Sequence, residues 1–375
     1  MPTIVRREAE VATVRTGASE RRDVLVERLF QATVAAMDVV SVYLGSRLGL
    51  YRALADGGPM TSSQLAVSAG VDERYTREWL EQQAATGILD VDDATASAEA
   101  RRFALPEGHD EALVDEDSLN FIVPAARLLV ACVGPLDDVV EAFRTGAGVP
   151  YARYGADLHE GQAAFTRPMF EQLLGTEWFP AVPEVDARLR ADPPARVADV
   201  ACGEGYSSLA IARTYPKVHV DGIDSDEASI DAARRHLQDS GLDDRVTFRV
   251  ADAAVLEPSG DYDLVHIFES LHDMSYPVEA LAGARGLLAD GGVVLLGDER
   301  VGEAFVAPAD DIERFLFGCS ILHCLPVGMV GEGAAGTGTV MRADTVRRYA
   351  EAAGFSNVDI LPIENDFYRY YRLTP

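Results

Sequence analysis

Positive charge is scarce in this sequence of 375 residues. Lys217 is the only lysine, and 33 lysine and arginine residues stand against 61 aspartate and glutamate residues, a formal net charge of −28. A surface of that sign repels phosphate backbones and anionic lipid. The composition therefore argues against nucleic acid and membranes as partners.

Cysteines are also few, and they show no paired spacing typical of metal ligands. A small number of thiols in mostly apolar runs suits a reducing cytoplasm. Cys319, His323 and Cys324 offer three possible ligands, but buried thiols beside a helical histidine are commoner, so we expect no metal. The four cysteines are Cys132, Cys202, Cys319 and Cys324.

Long hydrophobic runs are lacking as well. The longest apolar stretch, residues 121–134, is interrupted by Pro124 and Arg127 and is too short to span a bilayer. The first two dozen residues have no apolar core of a signal peptide. We therefore predict a cytoplasmic protein.

The chain contains regions of different pattern. Residues 1–24 are polar, and we expect them to be a flexible tail. Residues 25–110 show helical stretches followed by a short hairpin, which is the order of elements in a winged helix. Residues 111–180 are helical and rich in aromatics, and we expect them to link the domains and line a substrate pocket. Residues 181–375 alternate strands with helices, which predicts a doubly wound parallel sheet. A lid is expected at about 301–341.

Residues 197–212, VADVACGEGYSSLAIA, predict a tight turn between a strand and a helix. Gly203 and Gly205 permit positive φ and let a ligand approach the backbone, at the sheet edge where doubly wound folds bind ligands. A pyrophosphate site needs a third glycine where Ser208 stands, and Glu204 would repel phosphate. The predicted ligand is a nucleoside without phosphates.

Carboxylates end the predicted strands at the same edge. Asp224 follows the second strand and can accept both hydroxyls of a ribose. Asp252 follows the third strand and can accept a hydrogen bond from an adenine amine. Asp199, inside the first strand, suits an amino group or the amides of the glycine turn.

Four segments, VADVACGEG, VDGID, FRVADA and YDLVHIFESLHDM, match in order and spacing the motifs of class I S-adenosylmethionine-dependent methyltransferases. From about residue 25 the chain resembles the Rv2258c-type members, in which a winged-helix-like dimerisation domain precedes the catalytic domain. The resemblance implies a Rossmann-like fold, a homodimer, S-adenosylmethionine as cofactor and S-adenosylhomocysteine as product. The cofactor-binding residues that it implies are Asp199, Ala201, Gly203, Gly205, Asp224, Asp252, Ala253 and Phe268.

Ala201 departs from the usual G-x-G-x-G pattern of that family. We expect an extended conformation at this strand end, which alanine tolerates, so that the first glycine is dispensable.

The segment HIFESLHDM offers the candidate catalytic residues, His272 and Glu269. His272 resembles the histidine that serves as base in winged-helix O-methyltransferases, with Asp273, Glu269, Asp298 or Glu299 as its partner. Alternatively, His272 only supports its loop. Glu269 fits a pocket wall or cofactor contact better than a catalyst.

Aromatic residues before the sheet and in the lid are expected to surround an apolar or aromatic acceptor. The predicted pocket residues are Tyr154, Phe165, Phe170, Phe317, His323 and Met329.

We therefore predict methyl transfer to a small molecule, such as O-methylation in specialised metabolism. One alternative is another reaction that uses the same cofactor. The other is a cofactor-sensing winged-helix regulator, which the acidic Asp72, Glu73, Glu78 and Glu81 of the would-be recognition helix disfavour.

Overall fold

The computed structural model describes residues 17–375, which form two compact units that meet in sequence at Asp110 and Glu111. Of the predicted tail, residues 17–24 are helical, so that part of the prediction is wrong, and the remainder lies outside the described residues.

The first unit consists of helices followed by a small hairpin. Thr61 caps α3 through a reciprocal exchange with Gln64, and Asp72 caps α4 by accepting the amide of Arg74. The strands β1 and β2 pair antiparallel, as in a winged helix. The elements are α1 (Gly17–Arg47), α2 (Leu50–Gly57), α3 (Ser62–Ala69), α4 (Glu73–Ala85), β1 (Asp90–Val91) and β2 (Phe103–Ala104).

The helix α1 is longer and more exposed than the sequence suggested. An 18-residue window of this helix has a mean hydropathy of 1.3 and is only 6% buried. By length and composition alone α1 is able to cross a membrane, a test that core helices and signal sequences also pass. Residues 121–134 are therefore not the longest apolar segment of the chain, because α1 is longer.

The second unit is a seven-stranded sheet in the order β5-β4-β3-β6-β7-β9-β8. The strands β3–β7 are parallel, whereas β9 runs antiparallel to both β7 and β8, a difference from the all-parallel expectation. The short link from β8 to β9 explains this, because antiparallel neighbours need no crossover. The strands are β3 (Arg196–Val200), β4 (His219–Asp224), β5 (Val246–Val250), β6 (Tyr262–Phe268), β7 (Leu288–Glu299), β8 (Asn357–Ile360) and β9 (Tyr368–Thr374).

Helices cover both faces of the sheet. Val197 and its face pack into a core with α9, α10 and α11, whereas the next residue, Ala198, packs into a core with α12 and α15. This alternation follows from the pleat of a strand that is buried on both sides. The helices are α5 (His109–Leu113, at the boundary between the units), α6 (Val123–Val133), α7 (Leu136–Thr145), α8 (Ala156–Met169), α9 (Pro183–Arg190), α10 (Tyr206–Thr214), α11 (Glu227–Gln238), α12 (Pro277–Leu287), α13 (Asp311–Cys319), α14 (Leu325–Gly328) and α15 (Ala343–Ala352).

The predicted lid contains α13, a π-helical turn at Ser320–Cys324 and α14. The glycine-rich stretch after α14 hydrogen-bonds to the loop that follows β6, since the amides of Gly338 and Ala335 donate to the carbonyls of His272 and Ser275. The insertion is thereby tied to the strand end that carries the candidate catalytic residues.

Candidate active site

A cavity of about 890 Å³ lies at the carboxyl ends of β3–β7 in the second unit. Residues of α6, α8 and the lid line its other sides. This is the edge at which open α/β sheets bind ligands, and the volume falls in the range of ligand pockets.

The turn from β3 into α10 differs from the sequence-based expectation at Ala201. Its φ is +61°, a left-handed conformation that costs a residue with a Cβ about 1–2 kcal/mol. The prediction of an extended Ala201 is therefore wrong: the turn requires the backbone that glycine adopts freely, and alanine carries strain there.

The two glycines of the turn have different tasks. Gly203 (φ +51°) lines the cavity, and a Cβ added to it would meet open space within 4 Å. Gly205 (φ +82°) does not line the cavity; a Cβ there would lie 2.5 Å from the ring of Phe248 and 3.0 Å from Ala233. The expectation that both glycines contact the ligand is therefore wrong for Gly205, which lets α10 pack against β5 and α11.

Asp224 lies at the end of β4 and faces the glycine turn. Its two carboxylate oxygens accept the amides of Gly203 and Asp226, each at 2.8 Å. Burial raises the pKa of Asp224, although these two amides oppose the shift. Each oxygen retains a lone pair for a ribose hydroxyl.

Asp199 is buried beneath the turn, lines the cavity, and binds side chains of α10 rather than the amides of the turn. Its Oδ2 accepts the hydroxyls of Ser207 and Ser208, both at 2.6 Å, and its Oδ1 lies 3.4 Å from Nε2 of His266. Asp199 thus anchors the start of α10 to β3. Ser208, which stands where a dinucleotide site has its third glycine, is one of the two serines that make this contact.

The remaining predicted cofactor residues line the same cavity. Asp252 accepts the amide of Ala254 at 2.9 Å and begins the turn that contains Ala253. Phe268, the last residue of β6, stacks on Phe170 with ring centroids 6.2 Å apart.

His272 sits between two carboxylates. Its Nδ1 lies 2.9 Å from Oδ1 of Asp298 and 2.9 Å from Oε2 of Glu299, the last two residues of β7. Burial lowers the pKa of His272, but the charges of Glu299 and Asp298 outweigh it and raise the pKa well above 6.5. With Nδ1 held by carboxylates, Nε2 is the nitrogen left for other partners; the thiol of Cys324 is also close to the ring.

Glu269 lines the cavity beside His272 and, like Ala201, has a left-handed backbone, with a φ of +54°. Its Oε2 accepts a hydrogen bond of 2.8 Å from Nε2 of Gln162 on α8. Burial raises the pKa of Glu269 to about 7 and that of the neighbouring Asp273 to about 6. Non-glycine residues in this conformation cluster at functional sites.

The structure brings only some of the predicted pocket residues to the cavity. Phe165, Phe170 and His323 line it, whereas Tyr154, Phe317 and Met329 do not. The hydroxyl of Tyr154 donates to the carbonyl of Leu322 at 2.8 Å, and the ring of Phe317 packs edge-on against Phe305. On α13, Phe315 and Leu316 line the cavity instead of Phe317, although Phe315 is still 55% exposed.

Two groups within residues 17–375 bring three possible metal ligands within 4.8 Å of one another. They are His272 with Asp273 and Cys324, and His272 with Asp298 and Glu299, so neither is the set of Cys319, His323 and Cys324 considered from the sequence. In the second group, Nδ1 of His272 hydrogen-bonds to Asp298 and lies next to the carboxylate of Glu299.

The fold and this site define a class of protein: a Rossmann-like domain in which a strand-end cavity holds a glycine turn, several carboxylates and a buried histidine–carboxylate group. Residues 191–330 match the family model described as a methyltransferase domain, and residues 35–114 match the Rv2258c-like winged HTH domain. The chain therefore contains a methyltransferase domain and an Rv2258c-like winged HTH domain. The predicted family and fold class are confirmed.

Solved structures share this fold over almost the whole chain. A Nostoc punctiforme protein proposed to be an O-methyltransferase is 16% identical, with a TM-score of 0.68 and coverage of 93% of this chain and 99% of that one. Human N-acetylserotonin methyltransferase, crystallised with S-adenosylmethionine, is 18% identical, with a TM-score of 0.64 and coverage of 97% and 99%.

Curated relatives match a shorter segment. The 27-O-demethylrifamycin SV methyltransferase of Amycolatopsis mediterranei is 36% identical over 104 residues, which is 28% of this chain and 38% of the relative. Two others are matched over 40% and 43% of their length, so the chain spans about two fifths of these relatives. The findings confirm the enzyme class and the cofactor of the domain, and they leave the acceptor open.

Proposed function

We propose that this protein transfers a methyl group from S-adenosylmethionine to a hydroxyl group of a small apolar or aromatic acceptor. The observation that carries the proposal is His272, held at Nδ1 between Asp298 and Glu299 in the wall of the cavity that also contains the glycine turn and Asp224.

The strand ends fit the cofactor. Open space lies over the backbone of Gly203, the carboxylate of Asp224 has free lone pairs, and Asp252 follows the adjacent strand. These residues would hold the nucleoside, and the acidic surroundings suit a ligand that carries sulfonium and ammonium charges. When bound, the cofactor supplies a methyl group for an in-line displacement, so that alignment of the acceptor contributes much of the rate.

His272 would take the proton of the acceptor hydroxyl at Nε2. The carboxylates of Asp298 and Glu299 fix the ring through Nδ1 and stabilise the imidazolium that forms, as in other histidine–carboxylate pairs. The lid and α8 contribute apolar walls through Leu322, Val327 and Phe165, which would exclude water.

The oxygen acceptor and a role in specialised metabolism are supported by the rifamycin-type relative, whose name describes methylation at an oxygen. The alternatives of a non-methylating reaction and of a regulator have no support from the site or from the relatives.

The decisive experiment compares His272→Ala with His219→Ala, an exposed control at the start of β4. With a panel of hydroxylated aromatic compounds, we expect His272→Ala to reduce formation of S-adenosylhomocysteine roughly 10²-fold or more, whereas its affinity for S-adenosylmethionine by calorimetry stays unchanged. Full turnover in His272→Ala would refute the base, and no binding of S-adenosylmethionine by the wild type would refute the function.

We also propose that the protein is a cytoplasmic homodimer that covers the exposed side of α1. The helix presents apolar side chains along its length that are at least 39% exposed, namely Val24, Leu25, Val26, Leu29, Phe30, Val34, Met37, Val40 and Leu44. Leaving so much apolar surface in water is unfavourable, and a second copy would bury part of it. Light scattering should give twice the mass of 40.4 kDa; a monomer, or recovery in the membrane fraction, would contradict the proposal.

A further inference from the structure

The charges around the cavity restrict the acceptor. Within residues 17–375 no arginine or lysine lines the cavity, although carboxylates line both halves of it. In the half near β6 and the lid these are Glu269, Asp273 and Glu299. They belong to a wall formed by α8, the loop after β6 and the end of β7, so an acceptor beside His272 must lie close to them.

The histidines of the cavity do not supply the missing positive charge. Nδ1 of His159 lies 3.2 Å from Oδ2 of Asp226, and His272 is already placed between two carboxylates. Burial lowers the pKa of His323 to about 3, which keeps this ring neutral. The charge of each histidine is therefore either absent or already matched by an acidic partner.

Neutral polar atoms are nevertheless available in the same half. The hydroxyls of Ser270 and Thr339 and Nε2 of His323 are buried and have no hydrogen-bond partner among the described residues. All three residues line the cavity. Buried polar atoms of this kind are normally satisfied, so they are available to the hydroxyl, ether or carbonyl groups of a ligand.

We propose that the cavity selects acceptors without an anionic group, and that compounds bearing a carboxylate, sulfonate or phosphate are excluded. The inference rests on the proposed function, because it defines which hydroxylated compounds reach His272. The physical reason is that an anion entering this space leaves water, finds no cation that is not already paired with a carboxylate, and, above the raised pKa values of Glu269 and Asp273, lies beside like charges.

The test uses two fluorescent probes with one aromatic skeleton, the neutral N-phenyl-1-naphthylamine and its 8-sulfonate, titrated at pH 8. We expect the neutral probe to bind at least about 10-fold more tightly. Because a sulfonate also changes hydrophobicity, the decisive quantity is how the ratio of the two dissociation constants changes when the charge of the wall is altered.

In Glu269→Gln/Asp273→Asn the ratio should fall about 3-fold or more, through tighter binding of the sulfonate, whereas the neutral probe should change less than about 2-fold. Gln162→Arg places a cation in the same wall and should act in the same direction. Asp231→Asn, on the exposed side of α11, is the control and should leave the ratio unchanged. Thermal unfolding checks that each variant folds.

Ala163→Trp, which fills the cavity from α8, should abolish binding of the neutral probe. If that binding survives, or if the ratio is the same in the wild type and both charge variants, the inference is refuted. Calorimetry with S-adenosylmethionine on the same proteins separates this inference from the proposed function. If S-adenosylmethionine does not bind, the proposed function fails, but the ratio of the two probe dissociation constants can still be measured.

Discussion

The two halves of the cavity are built in different ways. At the ends of β3, β4 and β5, the acidic residues bind groups of the strand-end turns and the helix that follows β3: Asp199 accepts hydroxyls eight and nine residues ahead, Asp252 an amide two residues ahead, and Asp224 the amides of Asp226 and of Gly203, 21 residues back. At the ends of β6 and β7, the partners are distant: His272 and Asp298 are 26 residues apart, and Gln162 and Glu269 are 107 apart. The first half is thus largely a local structure, and the second is an assembly of separate segments.

The same backbone strain occurs in both halves. Ala201 follows β3 and Glu269 follows the adjacent β6, and both have a left-handed conformation. At Ala201 the turn must bring Gly203 to the ligand, whereas at Glu269 the conformation directs a carboxylate into the cavity beside Gln162. Removing side chains from each half should therefore affect different measurements.

The largest effect is expected in the cofactor half. Asp224→Ala should weaken binding of S-adenosylmethionine by at least about 100-fold, because two hydrogen bonds to a charged group contribute about 1.5–3 kcal/mol each. Calorimetry measures this, with Asp231→Ala as the control on the neighbouring helix. Unchanged affinity of Asp224→Ala would show that the ribose does not lie at β4.

In the acceptor half, the pH dependence of kcat/KM should report His272. A base must be neutral, and the charges of Glu299 and Asp298 raise the pKa of His272 above 6.5. We therefore expect kcat/KM to increase with pH and to level off above pH 6.5. Below that pKa, kcat/KM should fall about 10-fold per pH unit.

Asp298→Asn removes one of the charges that raise this pKa, and the limb should move to lower pH. Asp290→Asn, at an exposed site in β7, is the control. A limb that stays in place in Asp298→Asn would contradict the assignment.

Stability should depend on the buried acid at the end of β6. The pKa of Glu269 is about 7 in the folded state and 4.5 when unperturbed, so the folded protein binds the carboxyl proton of Glu269 more tightly than the unfolded chain does. This difference stabilises the fold fully below pH 4.5, and the stabilisation is lost as the pH rises towards 7. At about 1.4 kcal/mol per pKa unit, the loss is at most about 3.5 kcal/mol.

Urea unfolding at pH 5 and pH 8 measures this loss. The decrease in unfolding free energy from pH 5 to pH 8 should be smaller in Glu269→Gln than in the wild type. In Glu279→Gln, which changes an exposed residue on α12, the decrease should equal that of the wild type. An equal decrease in all three proteins would contradict a buried Glu269 proton.

The smallest effect is expected at the strained alanine. Ala201→Gly relieves a left-handed Cβ and should raise the unfolding free energy by about 0.5–1 kcal/mol, net of the extra freedom of glycine when unfolded. Ala212→Gly, in the interior of α10, should instead lower it by about 1 kcal/mol. Destabilisation by Ala201→Gly would mean that the turn is not strained.

The sequence by itself determined the winged-helix region, the doubly wound sheet and the family, because the period of apolar residues and the glycine turn reflect local backbone requirements. It also located Asp224 and Asp252, since residues that end parallel strands must share one edge. It did not determine the strain at Ala201, because φ depends on how β3 joins α10.

Only the tertiary structure decided which carboxylates hold His272 and which aromatic residues face the cavity. The sequence left four carboxylates open as partners of His272, namely Asp273, Glu269, Asp298 and Glu299. The register of β7 beside β6 brings Asp298 and Glu299 to Nδ1 of His272. Likewise, the rotation of α13 put Phe315 and Leu316 rather than Phe317 in the lining of the cavity. The physical reason is that such contacts depend on packing between segments far apart in the chain, which no local pattern records.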